Sequence, residues 1–424
     1  MLTSSGYVTD ASPELRRILT VRPLAIGDRP PPAAFRVFRE SGKHICVPQY
    51  FGKGHIGERP VDRRVEPARA NIEFIGKLRQ ELNQEDALRE AKAAMERGGG
   101  VLSLPCGYGK SIVGLAIAAE VGLRTMIMVH KEFLADQWTE VIRRFCPGST
   151  IGRVQGDKME LENDFVICLI QTMCAREHPV RSFESIGLLI VDEAHHICAK
   201  VFSQTMFKMC PKYTIGLSAT PERKDGLTRV LHWFLGPMFF AIQRKSNAVQ
   251  IQEIHYMGPF PEMSTKPNMP EMITDLCQIP ERNKVLTDEI DKLLQTDRNI
   301  LVLTDRRAHC TWLIEHYGEV AGLYIGGLAR EALEEAAKKR LIIGTFSLAQ
   351  EGLDIPKLDT VIFATPKADI VQASGRILRS QGNSPLIIDI IDHWCMFNSM
   401  FYKRRKQYID MGFMNSEHPK RCLL

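Results

Sequence analysis

Leu104-Pro105-Cys106-Gly107-Tyr108-Gly109-Lys110-Ser111 is the stretch from which the rest of the chain is read. Val101-Leu102-Ser103 before it is a short apolar run suited to a buried strand, and the apolar residues 112–119 after it suit a core-facing helix. A strand, a tight glycine turn and then Lys-Ser opening a helix is the arrangement of a phosphate-binding loop. Gly107 and Gly109 permit backbone torsions that a side chain blocks, so successive N–H groups can turn toward phosphate oxygens. Lys110 offers positive charge to the β- and γ-phosphates, and the Ser111 hydroxyl can hold Mg²⁺. The helix N-terminus adds partial positive charge at the same place. One residue departs from the strict pattern, which has Gly where this chain has Leu104; Cys106 is read as a small filler rather than a nucleophile.

Two further groups of residues fit the same chemistry. Ile190-Val191-Asp192-Glu193-Ala194-His195 ends an apolar strand with adjacent carboxylates. Neighbours at a strand end point in different directions, so Asp192 can take Mg²⁺ while Glu193 orients or deprotonates an attacking water. Such a pair can also be plain solvated charge, but the phosphate loop upstream favours the chemical reading. Gly216-Leu217-Ser218-Ala219-Thr220-Pro221 places small hydroxyl residues at the C-terminal edge of another strand, where open α/β sheets bind ligands. A Ser/Thr pair satisfied by backbone is the structural alternative there.

In the second half, Gln350-Glu351-Gly352-Leu353-Asp354 follows a strand, and Gln372-Ala373-Ser374-Gly375-Arg376-Ile377-Leu378-Arg379 opens a helix. Arg376 and Arg379, three apart, share a helix face. They form either a solvated patch or a pair aimed at charge on a γ-phosphate, an effect worth about 10³–10⁵ in rate where an arginine finger acts. The order of the motifs favours the second.

With 424 residues, 44% hydrophobic and 25% charged, the chain has room for two or three domains of ordinary globular composition. Its net charge of +5 permits nucleic-acid binding without demanding it. The eleven cysteines are dispersed, without Cys-x-x-Cys pairs, which suits reduced thiols inside a cell better than a disulfide framework. The N-terminus lacks a signal-peptide core and no apolar run reaches membrane-spanning length, so a soluble protein with no membrane partner is expected.

Strand–helix alternation predicts an α/β fold with two tandem parallel-sheet domains. A small β-rich module, punctuated by Pro and Gly, is expected over residues 1–70, with 60–70 as a linker. The first α/β domain is expected over 71–242, beginning with a helix at 81–97 closed by Gly98-Gly99-Gly100. Pro259, Pro261, Pro267 and Pro270 suggest a linker over 243–282. The second α/β domain then fills 283–424.

The motif order 105–111, 192–195, 218–220, 344–354 and 372–379 resembles that of superfamily 2 helicases over nearly all of the chain after Phe74. Within that superfamily the chain is most similar to the transcript-release helicases of poxviruses and their relatives in other large DNA viruses. The residues that carry this are Val129-His130-Lys131-Glu132-Phe133-Leu134, Leu303-Thr304-Asp305-Arg306-Arg307-Ala308-His309, Tyr324-Ile325-Gly326-Gly327 and Glu351-Gly352-Leu353-Asp354-Ile355. Val47-Pro48-Gln49-Tyr50-Phe51-Gly52 is similar to their N-terminal module.

The resemblance implies two RecA-like domains that use ATP and Mg²⁺. It assigns Gly107, Gly109, Lys110, Ser111, Asp192 and Glu193 to the ATP site, with Ser111 and Asp192 on the metal. From the second domain it adds Gly352, Asp354, Gln372, Arg376 and Arg379. Gln84 is a candidate for adenine recognition, although the Arg-Pro-Tyr usual before that glutamine is missing; an exposed helix glutamine is the alternative. His130, Lys131, Gln171, Thr172, Thr345 and Ser347 match the family's nucleic-acid contacts. Lys403-Arg404-Arg405-Lys406, on a terminal helix expected over 396–411, either adds to them or is a solvated face.

The implied polymer is DNA, duplex or single-stranded, with RNA as the other candidate, and a viral RNA polymerase is a candidate partner. The implied role is transcript release in viral transcription, in the host nucleus, a viral factory or the virion. Competing readings are a DNA-repair or recombination helicase acting on branched DNA, an RNA helicase of the DEAH type, and a non-catalytic DNA-binding scaffold. Retention of Lys110, Asp192, Glu193 and both arginines argues against the scaffold.

Overall fold

Five-residue apolar runs such as Thr125-Met126-Ile127-Met128-Val129 are buried along their whole length, which requires a sheet covered on both faces. The computed structural model describes residues 1–25, 31–58, 60–105, 107–176, 178, 181–219, 222–223, 225–242, 249–262, 268–347, 355, 357–379 and 384–414, apart from the side chains of Arg330, Gln372 and Arg379. The chain divides into two units, 1–242 and 243–424.

The first unit begins with strands β1 (Leu2–Thr3), β2 (Gly6–Asp10), β3 (Thr20–Val21), β4 (Phe35–Arg36), β5 (Arg39–Ser41) and β6 (His44–Val47). They pair antiparallel as β1-β2-β6-β5 and β3-β4, the expected small β-rich module. Its core of Tyr7, Leu19, Phe38, Ile45, Val47 and Phe51 leans on Trp233 of the helix Thr228–Leu235. The Tyr50 hydroxyl reaches Thr214 Oγ1 at 2.9 Å. Residues 61–70 are no free linker: Ala68 N–H donates to Ser185, Arg124 N–H to Ala68, and Ala70 N–H to Gly122.

The large sheet of this unit follows. It comprises β7 (Gly99–Ser103), β8 (Thr125–Val129), β9 (Ile151–Gln155), β10 (Lys158–Met159), β11 (Phe165–Leu169), β12 (Leu188–Asp192), β13 (Tyr213–Ser218) and β14 (Met238–Ala241). Their order is β10-β9-β11-β8-β12-β13-β7-β14, parallel throughout except for the β9–β10 hairpin. Period-two alternation sends Met126, Met128, Leu189 and Val191 to one core and Ile127, Val129, Leu188 and Ile190 to the other. The expected stop at Gly98-Gly99-Gly100 is half right, since Gly99 and Gly100 already belong to β7. A Cβ on Gly99 would lie 1.9 Å from the Thr214 carbonyl oxygen, so close backbone approach explains that glycine.

In the second unit, β15 (Gln250–Tyr256), β16 (Ile300–Thr304), β17 (Ala321–Tyr324), β18 (Leu341–Thr345), β19 (Thr360–Phe363) and β20 (Leu386–Asp392) form an all-parallel sheet in the order β15-β20-β19-β16-β18-β17. Here the linker expected at 243–282 is corrected. Residues 250–256 are an edge strand paired in register from Gln250↔Leu386 to Tyr256↔Asp392. Residues 269–276 form a helix that buries Met272, Ile273 and Leu276. Pro270 sits in that helix's first turn, where no N–H is needed, and Asn268 caps it by accepting from Glu271 N–H. Its proline therefore starts an element.

The aspartates of β20 are buried because each has a guanidinium: Arg282 holds Asp392 at 3.0 Å and Arg404 holds Asp389 at 2.8 Å. Among the described residues no helix is long and apolar enough to cross a membrane.

Candidate active site

Because β7, β8, β11, β12 and β13 run parallel, the residues that follow them collect at one edge of the sheet. The phosphate loop follows β7, His130-Lys131 follow β8, Gln171-Thr172 come just after β11, Glu193 follows β12, and Ser218 ends β13.

In the loop, Gly107 and Gly109 have φ of 86° and 72°, the left-handed torsions the sequence required of them. Gly109 is the N-cap of the helix Lys110–Val121, so Lys110 and Ser111 form its first turn. Lys110 Nζ donates to the Leu104 carbonyl at 3.3 Å, folding the ammonium back over the loop.

Gln84 is not the exposed helix residue of the alternative reading, for it is only 2% exposed. Its amide donates to the Tyr108 carbonyl at 2.8 Å, and its carbonyl accepts Arg79 N–H at 3.0 Å. Its amide nitrogen lies 2.5 Å from where a Cβ on Gly109 would sit, so the glutamine lies directly against the loop backbone.

Asp192 is fixed from two sides. Trp138 Nε1–H donates to Oδ2 and Glu193 N–H to Oδ1, each at 2.9 Å. Burial, reinforced by the neighbouring Glu193 carboxylate, pushes Asp192 up to about 6, while Trp138 and the nearby Lys110 charge pull the other way. Glu193 has φ of 46°, an uncommon torsion for a residue with a side chain. Its Oε2 is buried without a hydrogen bond to protein, with His195 Nδ1 3.5 Å away. The same His195 nitrogen is 3.4 Å from Ser218 Oγ, which links the ends of β12 and β13. Arg223 donates to the His195 carbonyl at 2.6 Å and is itself paired with Asp225 at 2.5 Å.

The donors suit Mg²⁺: one hydroxyl, Ser111, and one carboxylate, Asp192, leave room for phosphate and water ligands. A cation there would favour the ionised form of a carboxylate that burial alone holds up. Glu193 Oε2 is a buried acceptor that the His195 ring approaches at 3.5 Å.

The residues matched to nucleic-acid contacts fare unequally. His130 is 8% exposed, its ring tilted by 34° against that of His196 with centroids 4.0 Å apart, and neither ring nitrogen has a hydrogen bond to protein. Burial, with His196 and Lys131 nearby, pushes it down to about 3, so the ring packs in its neutral form. Thr172 is also buried, its hydroxyl accepting Gly156 N–H at 3.2 Å. Gln171 remains exposed and donates its amide to the His130 carbonyl. Lys131 is half-buried at the N-cap of the helix Glu132–Phe145, and burial lowers its pKa.

In the second unit Thr345 Oγ1 and Ser347 Oγ lie 3.2 Å apart, Ser347 exposed. Arg376 lies on the helix Val371–Arg376, which also carries Gln372; Arg379 ends the turn after it. Gly352 and Asp354 lie outside the described residues, as does Thr220. Of the terminal basic run, Arg404 is buried on Asp389.

Sequence reasoning missed Trp138, His196 and the Arg223–Asp225 pair. Trp138 falls on the buried stripe Leu134, Ala135, Trp138, Ile142 and so reads as core. A buried indole N–H still needs an acceptor, which was the available signal.

A family model described as the res subunit of type III restriction enzymes matches residues 77–223, the span from before Gln84 to Arg223. A protein of Acanthamoeba polyphaga mimivirus, provisionally named ATP-dependent RNA helicase L396, is 32% identical over 437 residues, covering 96% of this chain and 83% of its own length. Helicase 161L of Invertebrate iridescent virus 6, also a provisional name, is 26% identical and covers 81% and 83%. QP509L of African swine fever virus, provisionally named an ATP-dependent RNA helicase, is 24% identical and covers 94% and 87%. With a phosphate loop, a pair of adjacent carboxylates and relatives matched over most of their length all in agreement, the chain belongs to the superfamily 2 helicases of large DNA viruses, which are nucleic-acid-dependent ATPases.

Proposed function

We propose that this helicase is an ATP-driven DNA motor of viral transcription that releases transcripts from a stalled or terminating polymerase. The observation that carries the motor half is the Asp192–Glu193 end of β12, set at the same sheet edge as the loop Lys110, with Glu193 Oε2 buried beside His195. Lys110 neutralises phosphate charge, Ser111 and Asp192 hold Mg²⁺, and Glu193 Oε2 accepts a proton from the attacking water. Bound Mg²⁺ supplies charge neutralisation on the phosphates. Arg376 and Arg379 are assigned to the γ-phosphate charge.

The transcription half rests on the stretches 129–134, 303–309, 324–327 and 351–355, together with relatives spread through large DNA viruses. Stepping along duplex DNA pushes a paused polymerase forward and shortens the hybrid that retains the RNA. Contacts to the backbone suffice, since no base readout is needed. A second reading, translocation on RNA, draws on the printed names of the mimivirus and African swine fever virus relatives.

The test is a stalled elongation complex of the cognate polymerase on immobilised template. Free RNA that appears only with ATP, and is lost in Lys110→Ala, is the expected result. Retained RNA alongside ATP-dependent remodelling of branched DNA would overturn it in favour of repair.

A further inference from the structure

The terminal helix Phe397–Asp410 was a candidate polymer-binding face because of its basic run, yet its inward side chains do something different. Gln407 spends both ends of its amide on one loop: Oε1 accepts Ile370 N–H at 3.0 Å, and Nε2–H donates to the Ala368 carbonyl at 2.7 Å. Arg404 Nη1 donates to the Lys367 carbonyl at 2.9 Å while its Nε is held by Asp389 of β20. Tyr408 completes the anchor, donating to Asp389 Oδ2 at 2.9 Å and packing in one cluster with Ile370, Ala373 and Ile377.

Ile370 is the residue that opens the helix Val371–Arg376, and its carbonyl accepts Ser374 N–H at 2.8 Å. On the other side Lys367 is paired with Asp305 at 2.8 Å, and Asp305 N–H donates to Thr365. The loop 365–370 is therefore tied to the end of β16 by the partly exposed Lys367–Asp305 pair and to the terminal helix by the buried Arg404 and Gln407.

We infer that Gln407 is a positioning residue for ATP hydrolysis: by fixing both polar ends of the 368–370 backbone, it sets the register of the short helix that bears Arg376. This rests on the assignment of Arg376 to the γ-phosphate. The physical case is one of leverage. Val371–Arg376 has only six residues, too few to hold its own direction in water, so its direction comes from what it is bonded to. An offset of about 1 Å at a charge-stabilising group can cost up to about 10²-fold in rate. Gln407 touches no reacting atom and acts through the loop alone.

The experiment uses the full chain and compares ATP turnover, saturated with single-stranded DNA, in Gln407→Ala, Gln407→Glu, Arg376→Ala and the Gln407→Ala/Arg376→Ala double variant. Tm and DNA affinity are recorded for each. Gln407→Ala is expected to lower kcat about tenfold or more, with KM for ATP and DNA affinity close to wild type and Tm lowered only by the loss of two buried hydrogen bonds. Gln407→Glu keeps the acceptor for Ile370 N–H but not the donor for Ala368, and is expected to fall between the two. In the Arg376→Ala background, removing Gln407 is expected to cost nothing further, because the two act as one unit. Unchanged kcat in folded Gln407→Ala, or an independent loss of equal size in the double variant, would overturn the positioning role while leaving Arg376 in place. Full turnover by Arg376→Ala would instead overturn the Arg376 assignment, and the inference with it.

Discussion

Asp192 cannot be understood without Trp138. The indole N–H supports the ionised carboxylate, against a burial that favours the protonated form. Trp138→Phe keeps the ring's bulk and removes that donor. Asp192 should then titrate higher still, so the acid limb of the kcat profile should move to higher pH, at a stability cost of about 1–3 kcal/mol. An unmoved limb would mean that the bond does not tune the carboxylate.

His130 works in the opposite direction. Folded, it is held down to about 3, against about 6.5 in an unfolded chain. Its neutral packing contributes fully above pH 6.5, and the contribution is lost as pH falls from there toward 3, where the unfolded state takes the extra proton. His130→Asn should flatten the acid side of a Tm-against-pH curve. A slope identical to wild type would remove the histidine from that account. The motif residues Asp192 and His130 were legible, yet the Trp138 bond to one and the inward packing of the other were not. A sequence marks a histidine after a strand but not whether its ring turns in or out. Only the pairing of His130 with His196, some 66 positions apart, settles that.

At the scale of elements, the apolar runs announced nearly every central strand, because a doubly covered parallel strand has no other composition available to it. The runs Val101-Leu102-Ser103 and Ile190-Val191 lie in the buried strands β7 and β12 that they announced. The misreading at 243–282 has a physical source. Prolines punctuate loops and also begin helices, and β15 alternates as an edge strand does, with its pairing to β20 invisible from 136 residues away.

The aspartates of β20 have a similar explanation. They interrupt an apolar run in sequence, but in the fold each is neutralised by an arginine from a neighbouring helix. Arg282→Ala should therefore cost about 3–5 kcal/mol by leaving Asp392 buried and unpaired. Arg282→Met with Asp392→Leu should recover much of that in a denaturant titration. A double variant as unstable as the single one would show that packing, and not the orphaned charge, sets the cost.

On the scale of the whole molecule, the ATPase identity was legible because phosphate chemistry leaves few choices of residue: glycines for torsion, Lys110 for charge, Asp192 and Glu193 for metal and water. The polymer was not legible to the same degree. Backbone recognition can be made by many hydroxyls and amides, and the matched residues Thr172 and His130 are buried in the fold. The exposed Gln171 and Ser347 and the half-buried Lys131 and Thr345 remain the candidates for tracking a strand.

The central claim, a DNA-driven ATPase working from the β7–β12–β13 edge, is tested most directly by steady-state ATP turnover of the full chain. Parallel reactions would contain no polymer, single-stranded DNA, duplex DNA or RNA, each repeated with Lys110→Ala. DNA should stimulate turnover well above both the polymer-free rate and the RNA rate, and Lys110→Ala should abolish it in every reaction while still binding DNA. Stimulation by RNA alone, or DNA-stimulated turnover surviving in Lys110→Ala, would contradict the account.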